Sequence, residues 1–196
     1  MSKSNQNPFD VPVDGMPDRY LTMPELMACY ESFKAGRDYE NAKAVLDYGI
    51  RSGYLPAKLE MARLLKNTPQ LAMTQKERYA QAEKLYREIL NVLDLSDRAA
   101  GAVSMELAGF YGTINRPVAC LGAMLKARRL VFSVPEKDIA LCRRRLNRMD
   151  INAFCENPRD CYDLGSELAL AGAFKFGEWL LRESCSSRDP EQVGRS

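Results

Sequence analysis

Apolar residues recur at helical spacing along most of the chain, and this pattern excludes most alternatives to a helical fold. Residues on one face of a predicted helix are Ala82, Leu85, Tyr86, Ile89, Leu90 and Leu93. A narrower stripe on another predicted helix consists of Ile139, Cys142, Leu146 and Met149. Strand-like alternation and hairpin turns of the Asn-Gly type are absent from the sequence. The pattern therefore predicts an all-α chain.

Several helix starts carry a Ser or Thr followed three residues later by Glu. The pairs are Thr22 with Glu25, Thr74 with Glu77, and Ser133 with Glu136. In such a capping box the hydroxyl accepts an N–H of the first turn, and the carboxylate accepts the N–H of the cap residue. Capping and periodicity together predict helices over 23–35, 38–52, 56–66, 75–94, 98–112, 116–132, 136–149, 160–171 and 173–185.

The two ends of the chain differ in composition from its centre. Residues 1–20 contain three prolines and few apolar side chains, which predicts an extended or disordered arm. Residues 186–196 are polar and predict a disordered tail, which leaves 21–185 as the helical domain. No apolar run is long enough for a membrane span or a secretory signal. We therefore expect a cytoplasmic protein.

The chain contains no histidine. This absence excludes Ser-His-Asp and Cys-His nucleophilic sites and general-base chemistry by histidine. The phosphate-binding P-loop, the dinucleotide-binding GxGxxG motif and the GxSxG motif of hydrolases are absent as well. Carboxylate-only or lysine-based chemistry is left open as an alternative without a supporting motif, and we expect no enzymatic activity, no cofactor and no small-molecule substrate.

Six cysteines stand at positions 29, 120, 142, 155, 161 and 185. None forms the closely spaced Cys-x-x-Cys pair that structural zinc sites use. Most lie within helical patterns, where a cysteine thiol packs as a small apolar group. We expect reduced thiols in the core and no metal; Cys155 and Cys161 would be the nearest pair for the alternative, a metal site.

A two-helix repeat pattern runs without a gap from Asp38 to Leu65. Its positions are Asp38, Tyr39, Ala42, Val45, Leu46, Gly53, Ala57, Met61 and Ala62. The order is an Asp-Tyr-x-x-Ala opening, an apolar pair, a Gly turn, and an Ala followed by an apolar-small pair. This segment resembles the Sel-one-like repeat, a relative of the tetratricopeptide repeat. The resemblance covers 38–130 and, more loosely, 160–185; the stretches 66–76 and 133–158 depart from the regular repeat length.

The resemblance implies a short right-handed α-solenoid of antiparallel helix pairs that serves as a protein-binding adaptor or scaffold. In that family the first helix of each pair forms the concave wall that holds a partner protein or peptide. The residues here that would face such a partner are Met27, Glu31, Lys34, Leu59, Arg63, Lys66 and Met105. The alternative is that they are ordinary solvated or inter-helix positions.

Charge is distributed unevenly along the chain. From 116 to 148 nine Lys or Arg face two acids, whereas 150–191 contains nine acids and four basic residues. The apolar stripe on the predicted 136–149 helix turns Arg144, Arg145 and Arg148 outward, which favours an acidic protein partner or a phosphate backbone. Alternatively, the acidic C-terminal helices neutralise this basic face.

Two other functions remain open from the sequence. The first is a nucleic-acid-binding helical repeat that uses the basic 116–148 segment. Nucleic acid is the less favoured partner, because that segment offers only Phe132 for base stacking. The second is a secretion effector or its chaperone, which is suggested by the polar start MSKSNQNPFD.

Overall fold

The structure, a computed structural model, describes residues 21–130, 133–146, 157–170 and 173–186. Within these ranges the chain forms nine α-helices and no β-strand, which confirms the predicted all-α class. The helices are α1 (Met23–Ala35), α2 (Tyr39–Arg51), α3 (Leu55–Asn67), α4 (Gln75–Leu90), α5 (Asp97–Thr113), α6 (Pro117–Arg129), α7 (Glu136–Leu146), α8 (Pro158–Leu170) and α9 (Phe174–Ser186). The predicted arm at 1–20 and most of the predicted tail lie outside the described residues.

Two of the three predicted capping boxes are formed. The backbone N–H groups of Thr22 and Thr74 each donate to the Glu three residues later, over 2.9 Å in both cases. The third prediction is wrong, because α7 begins at Glu136 itself. Glu136 is therefore at the first helical position, whereas a capping box with Ser133 would need it at the third. Its carboxylate accepts a hydrogen bond from Arg128 instead.

The predicted end of the fourth helix at residue 94 is also wrong. The structure ends α4 at Leu90, and the N–H of Asn91 caps the helix by donating to the carbonyls of Arg87 and Glu88. Leu93 continues the apolar stripe in sequence, but its side chain is 99% exposed. Ser96 then starts α5 by accepting the N–H of Ala99. The apolar periodicity therefore predicted a helix that continues past its actual C-cap at Asn91.

The first compact unit of the chain ends at Asn91. In it α2 packs against α1 and α3, and α4 packs against α3. Gly49 of α2 lies where three helices meet, because a Cβ there would come within 2.9 Å of Ala57 Cβ and 3.2 Å of Leu26 Cδ2. Six positions of the repeat pattern are buried: Ala42, Val45, Leu46, Ala57, Met61 and Ala62. Gly53 forms the turn between α2 and α3 with a φ of 78°.

The second compact unit begins at Val92 and is built around α6. This helix packs against α5, α7 and α8, and α9 packs against α8. Nine of the 13 residues of α6 are buried, so it is apolar on nearly all sides. Gly122 allows α8 to approach closely, since a Cβ there would lie 3.3 Å from the backbone nitrogen of Leu164.

Candidate partner-binding surfaces

Six of the predicted partner-binding residues lie on α1 and α3. This α1–α3 surface consists of Met27, Glu31, Lys34, Leu59, Arg63 and Lys66. Glu31 and Lys34 are exposed, and the other four are half-buried. The two helices are close enough for the charge of Glu60 on α3 to act on Tyr30 of α1. The seventh predicted residue, Met105, is half-buried on α5 in the other compact unit.

Charges on the α1–α3 surface are largely balanced within each helix. Lys34 Nζ lies 3.4 Å from the Glu31 carboxylate and 5.1 Å from the centre of the Tyr30 ring. On α3, Arg63 donates to Glu60. Burial raises the pKa of Tyr30, and this effect outweighs the opposing influence of Lys34. Burial alone would lower the pKa of Lys34, but Tyr30 and Glu31 raise it overall. Lys34 is therefore held as a cation between an aromatic ring and a carboxylate.

Arginines at both ends of α6, within the basic 116–148 segment, form ion pairs with carboxylates of α8. At the start of α6, Arg116 Nε donates to Asp160 Oδ2 over 3.0 Å, and Nη2 donates to the second oxygen. At the end of α6, Arg129 donates to both oxygens of Glu167 over 2.9 and 3.0 Å. Both carboxylates are buried, and such two-point pairs fix geometry as well as charge. We name these contacts the two α6–α8 arginine pairs.

Further contacts neutralise the same segment. The hydrogen bonds to Glu167 raise the pKa of Arg129 against the effect of burial, with a smaller contribution from Asp97. Arg128 forms an exposed ion pair with Glu136 at 3.0 Å. Arg116 also lies 4.8 Å above the Tyr111 ring. These contacts fit the alternative that acidic helices neutralise the basic segment, at least for Arg116 and Arg129.

Arg144 is the one predicted basic-face residue whose side chain is described. It is exposed on α7, and its Nε donates to the carbonyl of Ala140 over 3.4 Å. Ile139 and Cys142 are buried, as the apolar stripe predicts. The side chain of Arg145 and the whole of Arg148 lie outside the described residues, so the grouping of the three arginines stays a prediction.

Large apolar side chains are exposed at the end of α8 and at the start of α9. Leu170 ends α8 with 65% of its surface exposed, and Phe174 begins α9 with 70% exposed. Further along α9, the Phe176 and Trp179 rings stack with their centres 5.5 Å apart and their planes 14° apart. Phe176 is exposed and Trp179 is half-buried. We name these four residues the α9 aromatic surface.

Sequence reasoning did not select the α9 aromatic surface. The run Phe174-Lys-Phe-Gly-Glu-Trp179 places three aromatic residues within six positions, and this density was the available signal. The side of α9 that packs on α8 is marked instead by Gly177 and Leu180, which are buried. A Cβ on Gly165 of α8 would lie 3.0 Å from the carbonyl oxygen of Gly177. This close packing occupies one side of α9, while Phe174 and Phe176 remain exposed.

The cysteines divide between the core and the surface. Cys120, Cys142 and Cys161 are buried, as predicted, whereas Cys29 is half-buried and Cys185 is exposed. Cys155 lies outside the described residues. In the described ranges no group of three or more Cys, Asp or Glu side chains is placed to share a metal ion.

None of the described helices has the length and apolar character that crossing a membrane requires.

Comparisons with known proteins add no assignment. No protein-family model matches the chain, and searches of curated proteins and of solved structures returned no significant match.

Proposed function

We propose that this chain is a protein-binding adaptor or scaffold of the Sel-one-like, tetratricopeptide-like kind, with its helix pairs stacked as a short α-solenoid. The observation that carries the proposal is the α9 aromatic surface. Leu170, Phe174 and Phe176 are costly to leave in water, and exposed apolar patches commonly mark protein interfaces. Tryptophan and other aromatic residues are also enriched among the residues that dominate binding energy.

The partner that fits this surface is an amphipathic helix of another protein. In helical repeat arrays each helix pair buries its apolar side against the next pair. The outer side of α9 presents the kind of surface that a further helix would cover. A partner helix with apolar residues at i, i+3 and i+7 would pack on the stacked rings of Phe176 and Trp179. The α1–α3 surface, with its balanced charges and half-buried Met27 and Leu59, is proposed as a second contact region.

The α6–α8 arginine pairs weigh against nucleic acid as the partner. A phosphate backbone would have to compete with the carboxylates of Asp160 and Glu167, which are buried and accept two hydrogen bonds each. Breaking such a pair leaves a buried carboxylate without its cation, which is costly. The proposal also places the protein in the cytoplasm and without catalytic activity, since binding alone accounts for the surfaces described.

Site-specific photo-cross-linking in cells tests the proposal. A photoreactive phenylalanine analogue at position 174 should cross-link to a protein partner. The same analogue at Thr113, an exposed residue of α5, is the matched control. We expect a partner adduct at 174 that is weaker or absent at 113. Equal adducts at both positions would indicate collision and not docking.

Binding of the purified partner then provides a quantitative test. Trp179 is the only tryptophan of the chain, so its fluorescence reports directly on this surface. We expect a blue shift when the partner removes Trp179 from water. The double change Phe174→Ser and Phe176→Ser should weaken affinity at least about tenfold, as for central interface residues. Leu141→Ser, which alters an exposed apolar residue of α7, should leave affinity unchanged. Unchanged affinity in the double variant would remove the α9 aromatic surface as the docking site.

A further inference from the structure

Two buried cysteines of the second compact unit lie in direct contact. Cys120 on α6 is 4% exposed and Cys142 on α7 is 5% exposed. Their Sγ atoms are 3.4 Å apart, close enough for one thiol to donate to the other. The Cys142 thiol also lies 3.9 Å from Met124 Sδ. The residues are 22 positions apart in the chain, so helix packing brings them together and not local sequence.

The separation of the two sulfur atoms is short for unbonded thiols and longer than a disulfide bond of about 2.0 Å. A bond therefore needs the sulfurs to approach by little more than 1 Å, roughly the shift that side-chain rotation and a small helix movement supply. The helix that has to move is α7, whose packing partner in the described part of the chain is α6. Neither cysteine belongs to the surfaces assigned to partner binding.

We propose that Cys120 and Cys142 form a redox-modification site, at which a low-molecular-weight disulfide such as glutathione disulfide converts the two thiols to an intramolecular disulfide. In the first step one cysteine thiolate attacks a sulfur of the reagent, which forms a mixed disulfide and releases one thiolate. In the second step the other cysteine, as thiolate, attacks the protein sulfur of that mixed disulfide and releases the second thiolate. The protein loses two electrons and two protons, and the reagent is reduced to two thiols.

Burial determines how the site reacts. The first attack needs an open path for the reagent, and burial of about 95% of each thiol-bearing residue closes that path. Oxidation of the native protein is therefore slow and follows local opening of α7 away from α6. The second step is fast, because the resolving thiol is already in contact. The mixed disulfide should consequently not accumulate.

The disulfide would attach α7 covalently to α6. It closes a loop that contains the end of α6 and the start of α7, including the Arg128–Glu136 ion pair. Closing a loop of this length restricts the unfolded chain and raises thermal stability. The exposed Arg144 on α7 would then be fixed relative to the centre of the second unit.

The test uses the full chain incubated with reduced and oxidised glutathione in ratios from fully reducing to oxidising. Remaining thiols are trapped with an alkylating reagent, and cysteine peptides are identified by mass spectrometry. We expect a peptide pair that links Cys120 to Cys142 and has lost two hydrogen atoms. The melting temperature should rise by roughly 5–10 °C, the range for a disulfide that closes a loop of this size.

Variants separate the proposed pair from other pairings. The quadruple change Cys29→Ser, Cys155→Ser, Cys161→Ser and Cys185→Ser leaves only the proposed pair and should oxidise like the wild type. If this variant does not fold, the double change Cys29→Ser and Cys185→Ser serves in its place, because neither residue is buried. Cys142→Ala should abolish the linked peptide and the rise in melting temperature.

Three results would overturn the proposal. The first is a chain whose Cys120 and Cys142 remain reduced, or carry only glutathione, under oxidising conditions. The second is a disulfide that joins Cys120 or Cys142 to Cys155 or Cys161. The third is a Cys120–Cys142 disulfide with an unchanged melting temperature, since the bond would then not hold α7 to α6.

Discussion

At the scale of single residues, small side chains set the distance between helices. Gly165 on α8 and Gly177 on α9 face each other, and a Cβ on Gly177 would lie 2.8 Å from the Gly165 carbonyl oxygen and 2.9 Å from the Ala169 nitrogen. Both neighbours are backbone atoms, which cannot rotate away. The repeat pattern in the sequence marks Ala42 and Ala62, and both are buried in the first unit. Nothing in the local sequence distinguished Gly177 from an ordinary helix glycine.

Gly177→Ala should destabilise the second unit by about 1–3 kcal/mol, because the added methyl forces α8 and α9 apart. Gly112 in α5 is the matched control, since a Cβ there meets nothing within 4 Å. Gly112→Ala should be neutral or stabilise by up to about 1 kcal/mol through helix propensity. Urea unfolding followed by circular dichroism measures both. Equal stabilities of the two variants would contradict the close approach of α8 and α9.

Glu77 links a single residue to the pH dependence of stability. The Thr74 hydroxyl donates to its carboxylate over 2.7 Å, and this bond, with that from the Thr74 N–H, lowers the pKa of Glu77 below its usual 4.5. Because folding lowers this pKa, the ionised Glu77 carboxylate contributes fully to the free energy of unfolding at pH values above its pKa in the unfolded chain. This contribution is lost as the pH falls through the folded value.

We therefore expect Glu77→Gln to lower the urea midpoint at pH 7 and to have a smaller effect near pH 3, measured by the same unfolding assay. Asp94→Asn, a change at an exposed acid between α4 and α5, controls for the loss of one negative charge. The pH-dependent difference should become smaller in a Thr74→Ala background, because this change removes the hydroxyl donor and keeps the backbone donor. A difference between wild type and Glu77→Gln that is the same at both pH values would rule out this capping contribution.

At the scale of helices, sequence patterns located the elements well but not their partners. The predicted start and end of α1 agree with the structure, and most other boundaries fall within one or two residues. The α6–α8 arginine pairs were not assigned, because each joins residues at least 38 positions apart. The charge imbalance indicated only that basic and acidic regions exist. Which arginine meets which carboxylate depends on how α6 and α8 cross, and local spacing does not encode this.

A double-mutant cycle measures what the Arg129–Glu167 pair contributes. We expect Arg129→Met and Glu167→Leu each to destabilise by about 1–2 kcal/mol, a value reduced for the partial exposure of Arg129. The double variant should lose less than the sum, because it leaves no unpaired charge. The exposed Arg128–Glu136 pair, with side chains 55% and 65% exposed, should give a coupling below about 0.5 kcal/mol. If the coupling energies of the two pairs are similar, the Glu167 carboxylate is exposed to water and the buried pair is contradicted.

At the scale of the whole molecule, the chain divides into two compact units at residues 91 and 92. Helix periodicity obscured this division, since Leu93 extends the stripe of α4 in sequence. The structure instead places residues 91–96 between the helices and exposes Leu93 almost completely. An apolar residue in this setting is a good protease target, because cleavage there disrupts no helix.

Limited digestion of the native protein with thermolysin, which cleaves before large apolar residues, should yield a fragment that begins at Leu93. Mass spectrometry identifies this fragment. Leu93→Asp should remove it while leaving other cleavage products unchanged. Leu141, an exposed leucine within α7, should be cut much more slowly, because its backbone is hydrogen-bonded in a helix. Early cleavage at Leu141 would show that α7 opens more readily than the connection between the units.

The burial of α6 by three helices also affects how the chain folds during synthesis on the ribosome. Residues 117–129 emerge early, together with α5, but their remaining apolar sides are covered by α7 and then α8. Within the described part of the chain, the Gly122 side of α6 is covered by residues near Leu164, which are translated later. Until then the nascent second unit exposes apolar surface, the condition under which growing chains need chaperones. Its central helix is therefore made well before the segment that completes its core.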